Sequence, residues 1–159
     1  VSFESEVRSR ASRRFKRTSD SGTSVSLFVD TSVWSLALRR DRPAESAETG
    51  ALGRAIAHGE PLYTTGLILQ ELLQGFSGPK ARERIVDHFS ALPLIVPDRT
   101  DHIEAAALRN HCRRKGVQIG TIDALFAQLC IRHGLTMLTA DDDFRHVAKH
   151  APLEVWAAK

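Results

Sequence analysis

Apolar residues fall along this chain in two kinds of cluster that take turns. The first kind is a short run of strand-forming residues: SLFV at 26–29, LYT at 62–64, LIV at 94–96, LTML at 135–138 and a weaker LEVW at 153–156. The second is a longer stretch in which apolar positions return every three or four residues, the period of one face of a helix. Such stretches begin at Val33-Trp34 and cover 51–57, 66–75, 79–92, 101–115, 120–133 and 142–150. The stripe in 66–75 is Leu67, Ile68, Leu72 and Leu73. Their ends carry the expected punctuation. Asp30-Thr31-Ser32 and Thr64-Thr65 offer capping oxygens, Pro79 sits in a first turn, and Gly116 and Gly134 follow last turns. Residues 39–48 are charged, contain Pro43 and read as a loop.

Strands alternating with helices over short links predict an α/β fold. It is a three-layer sandwich around a central, mainly parallel sheet. In such sheets ligands bind beyond the carboxyl ends of the strands, so residues that directly follow a strand or open the next helix are the ones to examine for chemistry.

The chain's 159 residues suit one domain. Uncharged runs such as 61–70 reach about ten residues, half of what a membrane span needs. Asp30 interrupts the first apolar stretch where a secretory signal would run on unbroken. Cys112 and Cys130 are too few for a disulfide framework or a zinc knuckle, and the cytoplasm is the expected compartment. The formal charge of +3 changes meaning once it is divided along the chain. Residues 1–24 hold six basic and three acidic side chains, and the rest holds 16 of each sign. The excess belongs to a Ser- and Arg-rich leader, read as a disordered tail, and the folded body expected over 25–159 is neutral.

Four acidic residues meet the positional criterion or lie among apolar neighbours. Asp30 follows SLFV directly, Glu71 lies inside LILQELLQG, Asp123 is in the first turn of GTIDALFAQLC, and Asp141 follows LTMLTA. Singly, each has an ordinary explanation as a helix cap, a charge favoured by a helix N-terminus, or a solvated face. Together they point further. Two carboxylates at 4 Å repel by about 4 kcal/mol at an effective dielectric near 20, so a fold that gathers several needs protons or a cation to offset the repulsion. Mg²⁺ is an oxygen-seeking ion that keeps several waters and suits such a cluster. The expected chemistry is phosphoryl hydrolysis, in which the ion acidifies a water and neutralises the leaving oxygen.

FVDTSVW, ILQELLQG, GTIDALFAQLC and MLTADDDF resemble, in order and rough spacing, the four acidic motifs of PIN domains. The likeness is greatest to the single-domain VapC-type toxins of toxin–antitoxin pairs and covers about residues 26–157. It implies an endoribonuclease dependent on Mg²⁺ or Mn²⁺, held inactive by a cognate antitoxin and commonly a homodimer. It implies that Asp30, Glu71, Asp123 and Asp141 are the metal-binding and catalytic acids. It also implies that the hydroxyls of Thr31, Ser32 and Thr139 orient them. The fourth motif has three consecutive aspartates; Asp141 is in register after Thr139, Asp143 is an alternative, and Asp142 between them is expected to face solvent.

Other features carry less. His146 and His150 share a predicted helix without further zinc ligands. Arg109, Arg113, Arg114 and Lys115 form a basic cluster that is either a contact for RNA phosphates or a helix end favoured by its dipole, and Arg39, Arg40 and Arg42 pose the same choice. The helix from Leu67 to Phe76 is either a dimer interface or part of the core. Two further functions stay open at this level: a non-catalytic PIN-like binding module, and an RNA-processing nuclease without an antitoxin.

Overall fold

A computed structural model of the chain describes residues 25–39 and 45–158. The expected leader and Arg40 and Arg42 lie outside this range. Five strands form one sheet: β1 (Leu27–Val29), β2 (Leu62–Thr65), β3 (Leu94–Ile95), β4 (Thr136–Leu138) and β5 (Glu154–Val155). Every pairing is parallel, and the spatial order is β3-β2-β1-β4-β5. Seven helices accompany them among the described residues: α1 (Thr31–Ala37), α2 (Ala47–His58), α3 (Gly66–Gly75), α4 (Pro79–Ser90), α5 (Arg99–Arg114), α6 (Thr121–His133) and α7 (Asp142–Ala148).

The strand order fixes where a site can form. From β1 the chain steps through β2 to β3 on one side of the sheet, and β4 and β5 fill the other side. The order therefore reverses between β1 and β4, and a crevice opens beyond the carboxyl ends of strands at such a switch point. Register holds the two strands together to their last residues: Leu27, Phe28 and Val29 pair with Thr136, Met137 and Leu138, and the Asp30 N–H donates to the Leu138 carbonyl at 2.9 Å.

Burial explains the composition of these strands. β1 is buried on both faces, so all three of its residues are apolar, whereas the edge strand β3 leaves Leu94 half exposed. Phe28 meets Phe126 of α6 with ring centroids 5.6 Å apart, and Trp34 of α1 meets Phe89 of α4 at 5.0 Å. Both pairs are tilted, the arrangement that aromatic quadrupoles favour. Gly134 ends α6 with φ at +61°, a left-handed cap that costs a glycine little. In the last turn of the same helix, Arg132 reaches Asp98 at 3.0 Å and the fully buried Asp101 at 2.6 Å, tying the start of α5 to the end of α6.

Predicted and observed elements agree in kind and order, with shifts at the ends. The largest shift is at α2, which begins at Ala47 rather than 51. Ser46 and Thr49 form a reciprocal capping box there, so the end of the expected loop is helical. The stripe on α3 packs inward: Ile68 and Leu72 are buried, and Leu67, Leu69, Leu73 and Phe76 lie against the core. The exposed large apolar side chains are elsewhere, among them Leu94, Val96 and Ile103. No helix among the described residues is long and apolar enough to cross a membrane.

Candidate active site

Asp30 is the first residue beyond β1 and the N-cap of α1, only 6% exposed. A carboxylate so placed needs donors, and three are directed at its Oδ2. The Ser32 hydroxyl donates at 2.6 Å, the Thr139 hydroxyl at 2.9 Å, and the Ser32 N–H more distantly at 3.4 Å. These donors leave Oδ1 without a bond from any described residue. Ser32 and Thr139 also accept, from the backbone N–H groups of Ala140 (3.0 Å) and Asp141 (3.0 Å). Two hydroxyls thus lock the end of β1 to the turn after β4 and set Asp30 and Asp141 on the same rim.

Thr31, one residue on, donates its hydroxyl to Oε2 of Glu71, half-buried on α3. Asp141 is exposed and caps α7, accepting from the Asp143 N–H at 2.9 Å. Asp123, half-buried in the first turn of α6, has its carboxyl held above the ordinary carboxylate range. Burial is the main cause, and the charges of Asp30, Asp141 and Glu71 add to it; the Gly120 backbone N–H pulls the other way. All three of the other acids therefore act on Asp123, and the four residues predicted from separate motifs come together at the switch point. Among the described residues none of the four is paired with a lysine or arginine; the ion pairs lie at Asp98, Asp101, Glu48 and Asp142.

The three consecutive aspartates separate. Asp142 faces away and pairs with Arg145 at 2.9 Å. Asp143 bonds through its backbone, and its charge is not among those that raise Asp123, whereas that of Asp141 is. His150 offers its backbone carbonyl to the His111 ring at 3.1 Å. Arg109 departs from the reading of a free phosphate contact: its Nε donates to the Ile119 carbonyl at 3.0 Å, which brings it into the loop before Asp123. Sequence reasoning noted Gly120 only as a helix start. Its importance is spatial, since a Cβ built there would stand 2.9 Å from the Asp123 Oδ2. Cys130, buried beneath the site, has its thiol pushed well up, chiefly by burial and further by the charge of Asp30.

The donor set suits a hard divalent cation: four carboxylates, all oxygen donors, with unneutralised mutual repulsion. No three metal-ligand side chains among the described residues already stand at the spacing that grips an ion directly.

An all-parallel α/β sheet with acids clustered at its switch point defines the class. The family model for the PIN domain matches residues 27–150, and the chain belongs to that family. Among its relatives, Ribonuclease VapC23 of Mycobacterium tuberculosis is 31% identical over 121 residues, 73% of this chain and 92% of that protein. Ribonuclease VapC11 of the same organism is 30% identical over 134 residues, 80% of this chain and 96% of its own length. In three dimensions the chain is similar to the crystal structure of VapBC2 from Rickettsia felis bound to a DNA fragment from their promoter. The TM-score there is 0.64 at 20% identity, covering 83% of this chain and 98% of that one.

Proposed function

We propose that this chain is the ribonuclease toxin of a toxin–antitoxin pair, hydrolysing RNA phosphodiester bonds with a divalent ion, Mg²⁺ or Mn²⁺, at Asp30, Glu71, Asp123 and Asp141. The observation that carries the proposal is the convergence of three carboxylate charges on Asp123 with no lysine or arginine of the described chain to offset them. The VapC relatives, named as ribonucleases, support the choice of RNA.

Each side chain has a definable task. Asp30 is fixed through Oδ2 and presents Oδ1 to an ion. Asp123 and Asp141 face it across the crevice, and Glu71, steadied by Thr31, is a further ligand or the group that positions water. A bound ion would acidify water and neutralise charge on the leaving oxygen. Exposed Arg113, Arg114 and Lys115, at the end of α5 and just before the loop to Asp123, are available to RNA phosphates. By family resemblance the products carry a 5′-phosphate and a 3′-hydroxyl.

The partner is an antitoxin whose extended segment covers the acidic crevice and presents an arginine to the carboxylates. In this reading the protein works in the cytoplasm and assembles as a homodimer. Candidate surfaces for a second copy are the partly exposed α3 residues Leu67, Leu69, Leu73 and Phe76 and the exposed Leu94, Val96 and Ile103.

The test is cleavage of structured RNA by the purified full chain, with Mg²⁺ and with chelator, beside Asp30→Asn and Asp123→Asn. The expected result is ion-dependent cleavage with 5′-phosphate ends, abolished in both variants while their circular dichroism stays native. Undiminished cleavage by both variants overturns the mechanism. A wild-type chain with neither cleavage nor stabilisation by the ion is a binding module.

A further inference from the structure

We infer that two copies of this chain join edge to edge through β3, so that their two sheets run on as one. The inference deepens the proposed function by assigning the surface of its homodimer, and it does not depend on the chemistry of the acids. β3 is an edge strand, with β2 on one side and no strand on the other. In its parallel pairing Thr64 lies beside Leu94 and Thr65 beside Ile95, and the Thr64 N–H donates to the Pro93 carbonyl. Pro93 and Ile95 therefore turn their backbone groups toward β2, and Leu94, by the alternation of a strand, turns its N–H and C=O outward. Val96, which Pro97 after it holds extended, does the same. No loop or cap among the described residues bonds to the backbone of either one. The flanking prolines fall on the inward positions, so neither removes a donor from the free edge. The side chains are open as well: Leu94 is 48% exposed and Val96 82%.

A second copy is the occupant that the charge and pattern of this edge fit. Across a two-fold axis a group on the axis meets its own counterpart, so a charge there repels itself. The stretch 91–97, Ala-Leu-Pro-Leu-Ile-Val-Pro, carries no charge. The other edge strand, β5, displays the exposed Glu154, the kind of residue that keeps an edge from pairing. Antiparallel pairing centred on Ile95 matches itself. Leu94 of each copy then lies opposite Val96 of the other, and the members of each pair exchange both N–H···O=C bonds. Their side chains stand on one face and pack as a single apolar cluster. A stable dimer buries about 800 Å² per partner, more than three residues supply. The flanking helices extend the patch: Val86 lies one turn before the end of α4 and Ile103 one turn after the start of α5. Together with Leu94 and Val96 they make up four of the six exposed large apolar side chains among the described residues, which gathers the apolar surface around this edge. The partly exposed α3, being helical, brings no unpaired strand edge.

The test uses the full chain without RNA. Sedimentation is expected to show a dimer at micromolar concentration. Val96→Glu, at a site too exposed to disturb folding, sets like charges across the axis and is expected to weaken the dimer at least about tenfold, with circular dichroism unchanged. Hydrogen exchange by NMR is expected to slow at least about tenfold at the Leu94 and Val96 amides as concentration rises through the dimer midpoint, while the Ile95 amide, already turned to β2, changes little. Mild oxidation of Ile95→Cys is expected to give a covalent dimer, because a non-hydrogen-bonded antiparallel pair stands about 4.5 Å apart at Cα, within the span of a disulfide. A wild-type chain that stays monomeric at about 100 μM overturns the inference. So does a dimer that Val96→Glu leaves intact and whose Leu94 and Val96 amides exchange as in the monomer, since its copies meet elsewhere, as at α3. Cleavage of RNA by such a chain leaves the proposed nuclease standing. A dimer joined at β3 that cleaves no RNA with either metal refutes the nuclease and keeps the interface.

Discussion

Thr139→Val tests whether the hydroxyl lock between β1 and β4 holds the site. Valine keeps the shape of threonine, so the fully buried position gains no cavity and loses only its oxygen. Two well-formed bonds disappear with it, besides a long 3.4 Å contact with the Ser32 hydroxyl. The first is the 2.9 Å donation to the nearly buried Asp30 carboxylate, of the charged class worth about 1.5–3 kcal/mol. The second is acceptance from the Asp141 N–H at 3.0 Å; Asp141 is exposed, so water replaces most of that bond. Ser32 retains its 2.6 Å donation to Asp30 and keeps the loss near the middle of the range. A net loss of about 2 kcal/mol corresponds to a Tm lower by roughly 4–8 °C in a domain of this size. Calorimetry and urea unfolding of the metal-free chain measure it, with Thr139→Ser as the rescue. The same oxygen sets Asp30 and Asp141 on one rim, so cleavage should fall at least about tenfold, equivalent to about 1.4 kcal/mol of transition-state stabilisation. A Tm within 1 °C of wild type (about half a kcal/mol or less by the same scaling) together with unchanged cleavage refutes the reasoning.

The other expectations concern the acids and what surrounds them. Asp123 binds its proton more tightly folded than unfolded, so its share of stability is complete below the ordinary value of 3.8 and is lost as pH rises through the raised folded value. Asp123→Asn should therefore melt above wild type at neutral pH without metal, with an advantage that shrinks on acidification; a variant that melts lower at neutral pH contradicts this. Gly120→Ala keeps an ordinary backbone conformation, φ −66°, but sets a methyl 2.9 Å from the Asp123 Oδ2. Cleavage should drop more than about tenfold while Tm moves only slightly, and full activity would show that the carboxylate has room. Cys130 is buried and its thiol is held protonated, so thiol reagents should modify it only on unfolding; fast labelling of the native chain, read by mass spectrometry, would count against that packing.

Much of this architecture is legible in the sequence because local signals and the global fold agree. The β1 run is apolar throughout and becomes the sheet centre, while Pro79 and Gly134 mark ends that the structure keeps. The position of Asp30 is legible for the same reason, since a residue directly after a strand in a parallel sheet has one place to go; Glu71 and Asp123 lie within helices and stand out only by motif. The rest depends on geometry that residue spacing does not encode. The capping box at Ser46 extends α2 because the Thr49 side chain folds back on it, and 3.6-residue periodicity does not register that. Arg109 looks like its basic neighbours in sequence, and only the packing of α5 on α6 shows that its Nε has a carbonyl to hold. On the α3 stripe, packing assigns Ile68 and Leu72 to the core, while Leu67 and Leu73 stay partly exposed, a division that periodicity alone does not make. Asp141 and Asp143 are equivalent by composition, and the path of the turn after Thr139 distinguishes them.

The claim on which the rest depends is that four separated carboxylates make one site for a divalent ion. A Mn²⁺ titration read by the electron paramagnetic resonance of the free ion tests it without RNA or antitoxin. The account predicts saturable binding to the wild-type chain, weakened at least about tenfold in both Asp30→Asn and Asp123→Asn and unchanged in Asp142→Asn, whose carboxylate is paired with Arg145. Absence of binding to the wild type, or equal binding by all four proteins, would contradict it.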